Sequence, residues 1–183
     1  MTGSTLNFLA RVLNQFLRMK FSSDNDTVIV NRIVESDGQS PLTNQNRIVF
    51  TLLTTEFEEL RSFNSFRQTK TDQKRLTVDA YSNINLNILI SSNFVDYGEA
   101  LKFLDATVQF FQMNAMFSSK NSPNFPNELS RLSLEPEKLT YSEINEVWNS
   151  IGTSLKPAMI YKVKIIRQEQ DNQADISVPD IEM

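Results

Sequence analysis

Residues 93–167 read NFVDYGEALKFLDATVQFFQMNAMFSSKNSPNFPNELSRLSLEPEKLTYSEINEVWNSIGTSLKPAMIYKVKIIR, and this stretch decides the fold class. Asp96 and Glu99 stand at the spacing of a capping box, in which two side chains satisfy the orphan amides of a helix start. The helix they open is expected to run to about Asn114. Tyr97, Ala100, Leu101, Leu104, Val108 and Phe111 form its main apolar face, widened by Phe103, Phe110 and Met113. Lys102, Asp105, Gln109 and Gln112 form its polar stripe. Pro123 and Pro126 break the chain, and Leu129–Leu134 alternates as a short strand. Thr140 and Glu143 form a second capping box. Its helix carries Tyr141, Ile144, Trp148 and Ile151 on one face and stops at Gly152 and Pro157. Ala158–Ile166 is a closing strand with Met159, Tyr161, Val163 and Ile165 inward and Lys162 and Lys164 outward.

The N-terminal half supplies the rest of a sheet. A helix is expected over Thr5–Lys20, capped by Ser4 or Thr5. Leu6, Leu9, Leu13, Phe16 and Leu17 share one face, with Phe8, Val12 and Met19 beside them. Asn7, Arg11, Asn14 and Arg18 form a narrow polar stripe. The apolar arc is about twice the ~100° that a surface helix needs. Thr27–Val34 is a β-branched strand, and Glu35–Asn46 is a loop rich in turn formers. Arg47–Phe57 reads as an interior strand, with Val49, Leu53 and Phe57 on one face and Ile48, Phe50 and Leu52 on the other. Asn83–Ile90 alternates cleanly, placing Asn83, Asn85 and Asn87 toward solvent or a partner. The fold class is therefore α+β: a central, mostly antiparallel or mixed sheet with packed helices. One domain is expected over residues 1–167, with an acidic tail over 168–183.

Composition excludes most chemistry. The chain has 183 residues, no histidine and no cysteine. The usual general base, the commonest metal ligands and the thiolate nucleophile are therefore missing. The four glycines are scattered, so no phosphate-cradling loop exists. No catalytic, cofactor-binding or metal-binding residues are assigned, and the protein is not expected to be an enzyme. A net charge of −4 argues against general nucleic-acid binding, which needs a basic footprint. No run approaches the roughly 18 apolar residues of a membrane span. The first residues lack the basic region and cleavage site of a secretory signal.

Some features have two readings. The broad apolar arcs of the first two helices suit either a core or a subunit interface. Arg61–Arg75, with five basic residues against one acid, is either a solvated connection or a contact for an acidic surface. In the tail, Ile176–Ile181 is an apolar island that is either unstructured or able to add an edge strand to a neighbour. Tyr81, Tyr97, Tyr141 and Tyr161 read as core-edge residues. The acid pairs Glu58–Glu59 and Glu135/Glu137 read as solvated rather than catalytic.

Residues 88–112 (ILISSNFVDYGEALKFLDATVQFFQ), 123–135 (PNFPNELSRLSLE) and 139–152 (LTYSEINEVWNSIG), followed by LKPAMIYKVKII, carry a resemblance. In this order they resemble the tail-terminator (cap) proteins of extracellular contractile injection systems, of the antifeeding prophage and Photorhabdus virulence cassette type. The resemblance runs from the first helix to Arg167. It implies a phage tail-terminator-like fold and a homohexameric ring on the baseplate-distal end of a phage-tail-like particle. Such a ring terminates the inner tube and anchors the last sheath layer. The implied partners are other copies of the chain, the tube protein and the sheath protein, with no cofactor and no catalytic residue. The implied location is the bacterial cytoplasm during assembly and then the particle. The alternatives are a tail-completion or sheath-adaptor protein of the same kind of particle, a carboxylate-based hydrolase, or a nucleic-acid module built on Arg61–Arg75.

Overall fold

The computed structural model describes residues 1–59 and 82–167. Arg61–Arg75, Tyr81 and the acidic tail, singled out in the sequence, lie outside them. A six-stranded sheet forms the centre: β1 (Val28–Val30), β2 (Arg47–Glu59), β3 (Ser82–Asn93), β4 (Met116–Phe117), β5 (Leu129–Pro136) and β6 (Ala158–Arg167). The spatial order is β1-β2-β3-β6-β5-β4. Only β1 and β2 are parallel; every other pair is antiparallel. The expected α+β class with a mixed sheet is what the chain adopts.

One face of this sheet is almost wholly aliphatic. Ile84, Leu86, Ile88 and Ile90 of β3 lie beside Val163, Ile165 and Tyr161 of β6 and Leu132 and Leu134 of β5, all buried. Two helices cover it: α1 (Thr2–Phe21) and α2 (Tyr97–Met113). They are joined by aromatic rings. Phe16 meets Phe110, Phe21 meets Phe103, Phe8 packs edge-on against Phe117 and Phe125, and Phe94 stacks on Phe103 at 4.5 Å. The large apolar arc of α1 is thus used inside its own chain, against β1 and α2 as well as the sheet. The opposite sheet face is covered in part by α3 (Tyr141–Ile151), whose Trp148 packs with Leu89 and Ile33.

Several expectations are corrected. The first helix starts at Thr2, so Ser4 and Thr5 are inside it and no side chain caps it. Asn14 leaves the solvent stripe and is buried. Its Oδ1 accepts from the Thr27 and Val28 amides at 2.8 Å, and its Nδ2 donates to Val28 O at 2.9 Å. This clamp holds the start of β1 to α1. The first strand is three residues rather than eight, because the chain turns after Asn31 to bury Ile33 under Trp148.

On α2, the buried residues are Ala100, Phe103, Ala106, Thr107, Phe110 and Phe111. Leu101 is 40% exposed, Tyr97 66%, and Leu104 and Val108 are half-buried. Small residues let the helix close on the sheet, so its seat is rotated away from the Leu/Val stripe. β2 is interior only over Ile48–Phe50, where β1 pairs with it. Beyond that it is an edge strand among the described residues, and a bulge between Leu52 and Thr54 shifts its register against β3. Residues paired across an antiparallel ladder share a face. Thr55 and Phe57 therefore lie on the side of Leu86 and Ile84, and Glu56 on the other.

Replacement of Phe111, 2% exposed, by Asp is expected to abolish folding, since an unpaired buried carboxylate costs several kcal/mol. Leu104→Asp is expected to leave soluble, helical protein, as judged by circular dichroism. Asn14→Leu strands two buried amides and is expected to cost about 2–3 kcal/mol in urea unfolding.

Candidate assembly surfaces

The sheet face turned away from α1 and α2 changes character along β3. Near α3 it is apolar, with Leu89 beside Ile160. Farther along, Asn87 lies opposite Lys162 and Asn85 opposite Lys164. Lys162 sits between two carboxylates, Glu56 at 3.1 Å and Glu137 at 3.6 Å. Lys164 reaches Glu135 at 3.0 Å. Asn87 Nδ2 donates to Glu56 Oε1 at 2.7 Å. That hydrogen bond, followed by Lys162, holds the Glu56 carboxyl below its ordinary range. The Glu56 bond in turn raises Lys162. The pair Glu135/Glu137, read as solvated, is thus matched carboxylate by carboxylate to two lysines. Asn85 is buried, although it was expected to face solvent or a partner, and its Oδ1 has no hydrogen-bond partner.

α3 forms the far wall. Thr140 Oγ1 accepts from the Glu143 amide at 3.3 Å, and the Thr140 amide donates to Glu143 Oε2 at 2.7 Å. The capping box expected there is complete. Gly152 ends the helix at φ 78°, a left-handed conformation that costs a glycine little. The box expected at α2 is only half made: Asp96 accepts from the Glu99 amide, but Glu99 turns to Lys102 at 3.2 Å. Between α3 and the free flank of β2 runs a groove of about 790 Å³. Leu53, Leu139, Val147, Ile151 and Ile160 supply its apolar lining, and Glu56, Glu137, Glu143, Glu146 and Lys162 its charges.

Two apolar patches remain uncovered among the described residues. One is the outer seam of α2, with Val95, Tyr97 and Leu101 exposed beside Leu104 and Val108. The other is the outer half of β2, where Phe57 is 68% exposed. Every other described phenylalanine packs against an aromatic ring. A smaller apolar recess holds Tyr97, Tyr141 and Leu155 at the start of β6. Lys156 lines it, bonded to Asn93 Oδ1 at 2.8 Å, and burial lowers its pKa. Of the expected core-edge tyrosines among the described residues, Tyr161 alone is found in the core. Tyr97 is exposed, and Tyr141 is 94% exposed, although it lines the same recess as Ile144 and Trp148 of its helix face. No cluster of three or more metal-ligating side chains occurs among the described residues, and no described helix is long and apolar enough to cross a membrane.

The Thr140 amide, then its hydroxyl, lower the Glu143 pKa from 4.5. A depressed carboxylate stabilises above its unfolded pKa and loses that contribution as pH falls through the folded one. Amide-exchange protection of α3 is therefore expected to decline as pH drops below about 4.5, and Glu143→Gln to flatten that decline.

These surfaces belong to a fold found in solved assemblies. Over its whole length the chain superposes on 62% of a chain described as a sheath/tube terminator, PVC, of an extracellular contractile injection system in the extended state (TM-score 0.57, 11% identity). Over 94% of its length it matches 58% of the tube-terminating cap of the anti-feeding prophage (TM-score 0.48, 13% identity). The chain thus spans about three fifths of each of these proteins. No curated protein sequence matches it. The profile of the Pvc16 N-terminal domain matches residues 4–179, and the chain belongs to that family.

Proposed function

We propose that this protein is the terminator of a phage-tail-like contractile injection particle. It forms a closed six-subunit ring on the baseplate-distal end, stops growth of the inner tube and anchors the last sheath layer. Family membership over nearly the whole chain carries the reading, and the fold shared with the PVC sheath/tube terminator supports it. The work asked of such a protein is geometric rather than catalytic, so it is not an enzyme. It assembles in the bacterial cytoplasm and then stays with the particle. Residues 1–167 act as the ring-forming domain and 168–183 as a separate tail.

The surface suits this task. A subunit in a ring meets its two neighbours through different patches, and the contact closes only if the rotation does. The α2 seam and the outer half of β2 are apolar patches on different elements, each left uncovered by the chain's own core.

Solution mass measurement of the purified protein, alone and on particles, is expected to give six copies; a monomer on particles overturns the ring. Electron microscopy of a deletion strain is expected to show tubes and sheaths of variable length or open ends. Normal lengths with closed ends would instead favour a sheath adaptor.

A further inference from the structure

We propose that the groove between α3 and β2 is the docking site for residues 61–75 of a neighbouring copy of this chain. The inference rests on the ring assembly above and gives it a specific subunit contact.

Charge is the first argument. The groove holds four glutamates against one lysine, and Lys162 is already shared between Glu56 and Glu137. Glu143 is turned into its capping box. Glu146, on the exposed side of α3, has no cationic partner among the described residues. The groove is therefore left with an excess of negative charge. Residues 61–75, RSFNSFRQTKTDQKR, bring five basic side chains and one acid. Complementary fields of this kind select a partner and fix its register.

Shape and hydrophobicity are the second. Below the glutamates the floor is apolar, formed by Leu53, Leu139, Val147 and Ile151. The same basic segment carries Phe63 and Phe66, large rings suited to a floor of this kind. Among the described residues, nothing pairs with the strand bordering the groove on that flank past Phe50. A free strand edge offers main-chain bonds to an incoming segment.

Position makes the neighbour the occupant. Glu59 and Ser82 pair with each other at the tip of the β2–β3 ribbon, so both ends of the 60–81 segment leave from that tip. The groove lies on the ribbon's flank, along residues 51–56. The chain's own groove lies behind the tip, along β2. A tip seated in the next subunit's flank is a head-to-tail contact of the kind that closes a ring.

The chain has no cysteine, which allows a clean test on the full-length protein. Ser65→Cys and Ser150→Cys are near-isosteric; the second lies on the groove wall. Two singly substituted proteins with different tags are mixed and bridged with a short bismaleimide, and the mass of the unbridged assembly is measured alongside. The expected result is a heterodimeric product, a ladder of linked subunits from the double variant, and about tenfold less product with Glu146→Lys. Intrachain bridging alone in the double variant overturns the neighbour as occupant. Six-subunit assemblies that give no Ser65→Cys/Ser150→Cys product overturn the docking site and leave the ring intact. Monomers by mass, with no bridged product, overturn both.

Discussion

Everything in this fold depends on burying one aliphatic sheet face under two phenylalanine-rich helices. β3 and β6 place Ile84, Leu86, Ile88, Ile90, Val163 and Ile165 on a common side. No strand can slip by one residue without turning that set to solvent. α1 and α2 close over it, and their rings interlock across the helix–helix contact. Large rings in edge and stacked contacts fill the volume between the layers. The polar consequences follow from this seat. Asn14 faces inward because α1 must present its leucines to the sheet, and the β1 amides are the donors and acceptor that it meets there.

The second sheet face is built on a different principle. α3 is short, so it covers only the rows around Leu89 and Ile160 and leaves the adjacent rows as a charged lattice. Exposed ion pairs of this kind add little to stability. Their value lies in order: Lys162 and Lys164 each hold a carboxylate from a neighbouring strand or loop, which keeps the flank of the groove polar and registered. The molecule thus separates a face that folds it from a face free to meet something else.

Which features were legible in the sequence follows the range of the interactions. The capping box of α3 was readable because its donors and acceptors lie within four residues. So was the alternation of β3 and β6, where one face is continuously buried. The inward turn of Asn14 was not, since its partners are 13 and 14 residues away. The seat of α2 was misjudged because Leu and Val outweigh Ala and Thr in any apolar count. The helix instead approaches the sheet along Ala100, Ala106 and Thr107, where small side chains allow it. The groove was invisible too: it is assembled from β2, β3, β6, the loop before α3 and α3 itself, with no local signature. The resemblance pointed to the family and fold, but no residue-level pattern pointed to this surface.

The bulge at Leu52/Thr54 has a consequence for how the chain tolerates change. Ahead of it, even-numbered residues of β2 face the helices; past it, odd-numbered ones do. Loss of the extra residue would leave the Ile48 and Phe50 anchors where they are. It would also leave Glu56 opposite Asn85 on the lysine side of the sheet, because the pairs on both sides of the bulge keep their partners. A single-residue deletion at the bulge therefore makes the ladder regular and keeps both halves of the strand facing as they do. The regular ribbon beyond Thr54 has no such spare residue, so insertions and deletions there are tolerable in pairs and disruptive singly.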